Sequence, residues 1–91
     1  MKLLVLYKAR SEYRASVEGF IDDYKRNHPG SKVEVLDIDH REGIAIASLY
    51  DVFSFPAILA LRNDGTLIQM WEGIDQLPRV DDVTAYMLDE F

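Results

Sequence analysis

The chain has 91 residues, 48% hydrophobic and 29% charged, enough for one folded domain with a modest core and too apolar for a disordered chain. Its net charge of −6, with no basic run denser than Lys25–Arg26, argues against nucleic acid as a partner, because phosphate binding needs clustered Lys and Arg. The absence of cysteine removes disulfides, thiolate nucleophiles and Cys-type zinc sites.

"KLLVLYK" (Lys2–Lys8) has the length and composition of a buried strand. Its apolar run is too short for a signal-peptide core or a membrane span, so a cytoplasmic protein with no membrane partner is expected. Ser11 offers a helix N-cap, with Glu12 in a first turn where the helix dipole favours an anion. Val17, Phe20, Ile21 and Tyr24 then fall on one helical face, and "HPG" (His28–Gly30) stops the helix.

"KVEVLDID" (Lys32–Asp39) suits a second strand. "REGIAIASLYDV" reads as a short helix with Ile46, Leu49 and Tyr50 inward and Asp39 capping its start. "PAILALR" is a third strand, and "NDG" (Asn63–Gly65) predicts a hairpin, since these residues tolerate positive φ. "TLIQMWEG" returns antiparallel, with Trp71 packed in the core rather than outward. Pro78 suits the first turn of a closing helix carrying Val80, Val83 and Met87 on one side.

The order is βαβαββα in a single α/β domain, residues 1–91. A mixed four-stranded sheet flanked by helices follows. The two β-α-β connections predict parallel neighbours joined by right-handed crossovers, and the final hairpin adds an antiparallel edge.

Pro56, in "VFSFPAIL" (Val52–Leu59), stands at the entry of the third strand, where a residue without an N–H belongs at an edge, a first position or a bulge. That entry, with "SFPAILALRNDGTLIQMWEG" and the preceding "VLDID", resembles the thioredoxin-like superfamily in the order and spacing of its motifs. The resemblance covers nearly the whole chain. It implies a cis Phe55–Pro56 bond and ligand contact at Ser54, Phe55 and Pro56, where the family pairs its backbone with an extended peptide or a glutathione-like ligand.

The same resemblance sets Glu12 and Ala15 at the positions of the family's Cys-x-x-Cys motif, with Tyr13 and Arg14 between them. Leu6 stands where thioredoxins commonly keep a buried acid. Disulfide exchange requires attack by a thiolate, so this chain lacks both the nucleophile and its helper. No catalytic residue and no cofactor are expected.

"DIDH" (Asp37–His40) joins two acids and a histidine, but a metal site needs three or four converging ligands, so no metal is expected there. Tyr7 or Ser11 as a glutathione-activating hydroxyl would need the second, helical domain that glutathione transferases use. Glu12, Tyr13 and Arg14 are instead expected to face Pro56 as a binding surface, with Tyr13 and Phe55 as an aromatic platform.

These residues point to a redox-inactive module that binds a protein or extended peptide segment, as a monomer or weak dimer. The alternative is a Cys-free glutathione-binding or glutathione-dependent enzyme of the wider group. The opening "LYKARSEYRASVEGFI" is also similar to that of the KaiB clock family, which implies partner switching as an outlying possibility.

Overall fold

Four consecutive residues of β1 (Lys2–Tyr7), Leu3 to Leu6, are buried, because helices cover both faces of the sheet. A computed structural model of the chain describes residues 1–87, with side chains through Tyr86. After β1 come α1 (Arg14–Asn27), β2 (Lys32–Asp37), α2 (Arg41–Leu49), β3 (Ala57–Leu61) and β4 (Leu67–Glu72). A 3₁₀ turn at Ile74–Gln76 leads to α3 (Val80–Met87). The sheet order is β2-β1-β3-β4. Among the described residues, no helix is long and apolar enough to cross a membrane.

Alternation along the strands builds two cores. On one face Leu3, Val5, Ile58 and Ala60 meet Val17, Phe20, Ile21 and Tyr24 of α1 and Val83 of α3. On the other, Leu4, Leu6, Ala57 and Leu59 meet Ala47 of α2 and Val52. Trp71 packs with the first core, edge-on to Tyr86, and Met70 with the second.

The sheet is mixed, but only the first crossover joins parallel neighbours. β1 runs parallel to β2 and antiparallel to β3, with Leu6 opposite Ala57. The nine residues of α2 span about 14 Å, enough to cross β1 but short of the roughly 20 Å length of a six-residue strand. A Schellman turn then redirects the chain: Val52 N–H donates to Ala47 O and Asp51 N–H to Ser48 O, with Asp51 at φ 55°. The chain therefore enters β3 at the end of the sheet where β2 left it.

Several local expectations are corrected. Ser11 is not the cap of α1: its hydroxyl donates to Lys8 O, the N-cap is Tyr13, and Glu12 precedes the helix. β2 stops at Asp37 and not Asp39. There Asp37 Oδ1 accepts Asp39 N–H at 2.9 Å, and His40 caps α2. Leu49 is 70% exposed, because it lies on the side of α2 away from Ala47. Pro78 is buried ahead of α3, whose N-cap position, Arg79, donates its N–H to Asp82 Oδ2 at 2.9 Å. The inward placement expected of Met87 lies outside the described side chains.

Candidate functional site

The segment from Phe53 to Pro56 is held at both ends. Phe53 N–H donates to Glu72 Oε1 at 2.8 Å, and Pro56 O accepts Gly73 N–H at 2.8 Å. Pro56 itself is fully buried and its bond to Phe55 is cis. Between the two anchors, Ser54 is exposed and Phe55 is half-buried against the second core. Among the described residues nothing pairs with the backbone N–H or C=O of Phe55.

The start of α1 contributes a different set of groups. Tyr13 leans on the first core, and its hydroxyl accepts Lys8 N–H at 3.2 Å. Tyr13 and Phe55 thus pack against cores on opposite faces of the sheet, and no ring contact joins them. The expected aromatic platform is not formed. Arg14 is tied to its own helix, with Nε donating to Glu18 Oε1 at 2.8 Å, a bond that raises the guanidinium pKa. Glu12 is exposed and has no partner among the described residues.

Glu12 and Tyr13 share a dent of about 220 Å³ with Ser16 and Ile74. Ile74, 45% exposed, escaped the sequence reading. Its signal was an aliphatic residue directly after Gly73, outside both the strand and the helix pattern. Ala15 opens instead onto a groove of about 510 Å³ between α1 and the start of α3, lined there by Pro78, Arg79, Val80 and Asp81.

Asp37 and His40 approach to 3.9 Å, and both border a cleft with Ala9, Arg10 and Asp39. Among the described residues, no three acidic or histidine side chains converge as a metal ion would require.

No family model and no curated protein matches the sequence. Solved structures do match. Thioredoxin 1 from Thermosipho africanus superposes with a TM-score of 0.72 at 16% identity, over 99% of this chain and 93% of that one. Oxidised thioredoxin O2 from Arabidopsis thaliana gives 0.72 at 15% identity, over 97% and 72%. Oxidised thioredoxin from Plasmodium falciparum gives 0.65 at 11%, over 98% and 80%. This chain has a thioredoxin-like fold.

In this thioredoxin-like domain the chemistry of disulfide exchange has no carrier. The 91 residues contain no thiol, and Glu12, before the helix, and Ala15, in its first turn, are both exposed. A carboxylate and a methyl group cannot form a mixed disulfide. Leu6 is fully buried in the second core, a position with room for a hydrocarbon and no proton to give. The site presents an unpaired peptide unit at Phe55, an apolar dent beside Tyr13 and Ile74, and the exposed carboxylate of Glu12.

Proposed function

We propose that this thioredoxin-like domain is a redox-inactive binding module that holds an extended peptide segment along Ser54, Phe55 and Pro56. The observation that carries this reading is the unpaired N–H and C=O of Phe55, between anchors at Phe53 and Pro56. An extended segment gains affinity by pairing with such groups, and selectivity from pockets that take its side chains. Tyr13 and Ile74 offer an apolar seat, and Glu12 a carboxylate beside it.

Peptide-array binding of wild type against Tyr13→Ala/Phe55→Ala tests the proposal. Peptides retained by wild type and lost by the double variant support it. An unchanged set of bound peptides, or none bound by wild type, removes this surface from consideration. Glutathione titration belongs to the same experiment, since saturable binding there would favour the glutathione-dependent alternative.

A further inference from the structure

A strand at the edge of a sheet carries a row of unpaired N–H and C=O groups, which folded proteins ordinarily cover or blunt. The two edges of this sheet differ. On β4, Gly73 N–H points to Pro56 O, so ladder alternation turns the amides of Glu72 and Met70 outward. Met70 N–H is capped by Gln69 Oε1 at 2.9 Å, and Gln69 Nε2 in turn donates to the Tyr86 hydroxyl at 2.9 Å.

On β2, Ile38 N–H donates to Tyr7 O at 3.0 Å. In a parallel ladder, inward and outward groups alternate along the strand. Lys32, Glu34 and Leu36 therefore bond to β1, while Val33, Val35 and Asp37 turn their backbone groups away. Asp37 O is taken by His40 N–H at 3.0 Å, but among the described residues nothing pairs with the N–H or C=O of Val33 or Val35.

We propose that this edge pairs with β2 of a second copy of the chain, antiparallel about a two-fold axis at Val33. Three two-fold registers are centred within the stretch from Val33 to Val35, whose outward groups are free. Centring on Glu34 sets two carboxylates directly opposite each other, which is destabilising. Centring on Val35 opposes Val33 to Asp37, whose carbonyl is already bonded, and Glu34 to Leu36. Centring on Val33 sets Val35 opposite Ser31, whose N–H is likewise already bonded, to His28 O, but it exchanges two hydrogen bonds between the valines and places Lys32 of each copy opposite Glu34 of the other.

Only the Val33 register is complementary in charge. Both residues are exposed, and Glu34 already meets Lys2 at 2.6 Å within its own chain. Exposed pairs contribute little each, so the association is weak and sensitive to salt.

Sedimentation of the full chain at low salt, from roughly 10 μM to about 1 mM, reads the dimer directly. Amide hydrogen exchange over the same series reads its location. The expected result is a concentration-dependent dimer with exchange slowed at Val33 and Val35. Lys32→Glu weakens it about tenfold by opposing like charges, and Lys32→Glu/Glu34→Lys restores it. Val33→Pro removes an outward N–H without touching a bond to β1, and abolishes the dimer.

A chain that stays monomeric at about 1 mM overturns the proposal, and leaves the edge to a strand of another protein. So does a dimer that ignores the charge reversal, or one that protects amides elsewhere. The charge-reversal pair and the exchange data decide the matter even if the proline variant fails to fold.

Discussion

The backbone N–H of Gly73 donates to Pro56 O at 2.8 Å, tying the turn after β4 to the residue that opens β3. Gly73 makes this bond at φ 88° and ψ 155°, a region that essentially only glycine occupies. A Cβ there would meet the Cβ of Ser54 at ordinary contact distance, so the cost of a side chain is backbone strain and not collision. Gly73→Ala is therefore expected to lose about 1–3 kcal/mol in urea unfolding. Peptide binding at Phe55 should weaken with it, because the loop would lose its second anchor.

Two helical glycines should respond to alanine with opposite sign. Gly19, inside α1, has open space around a would-be Cβ. Gly19→Ala is expected to stabilise by about 0.5–1 kcal/mol through helix propensity alone. Gly43, at the start of α2, is buried so close to the Asp37 carbonyl that a Cβ would overlap it. That carbonyl holds His40 N–H and cannot retreat freely. Gly43→Ala should cost about 1–3 kcal/mol as an overpacked site. Parallel urea melts of the two variants check both signs.

Asp51 closes α2 at φ 55° in a position where glycine is the usual residue. Asp51→Gly relieves that conformation and gives back part of the gain as unfolded-state entropy. A net stabilisation of about 0.5–1 kcal/mol is expected by thermal or urea unfolding.

The hairpin tip carries a pH dependence of known sign. Asp64 Oδ1 accepts Thr66 N–H at 2.9 Å, and this bond, joined by one to the Thr66 side chain, holds the carboxyl below its usual range. Because the folded-state pKa is the lower one, the contribution is complete above the unfolded value. It is lost as the pH falls through the folded value. Carbon-detected NMR titration should place Asp64 below the ordinary aspartate range, and Thr66→Pro, which removes the N–H, should raise it.

Much of the fold was legible residue by residue. Val17, Phe20, Ile21 and Tyr24 at helical spacing are all buried, and "NDG" became a hairpin with Gly65 at φ 92°. Other local readings failed where one polar side chain had two possible partners. Ser11 bonded back to Lys8, and Asp37, not Asp39, closed the turn before α2. Both outcomes depend on where the chain turns, which spacing along the sequence does not state. Ile74 was missed for a related reason, since its place beside Tyr13 exists only once β4 and α1 lie together.

The sequence alone settled the element types, because apolar periodicity reports which side of each element leaves water. It also settled the missing chemistry, since a chain without cysteine supplies no thiolate. Strand direction was decided in three dimensions. A nine-residue helix and a left-handed residue at Asp51 brought β3 back antiparallel to β1, where two crossovers had implied parallel neighbours. Tertiary packing also separated Tyr13 from Phe55, left the Phe55 peptide groups unpaired and opened the β2 edge. Periodicity encodes burial, whereas the direction of a strand and the partner of a backbone group depend on how far the connecting segments reach.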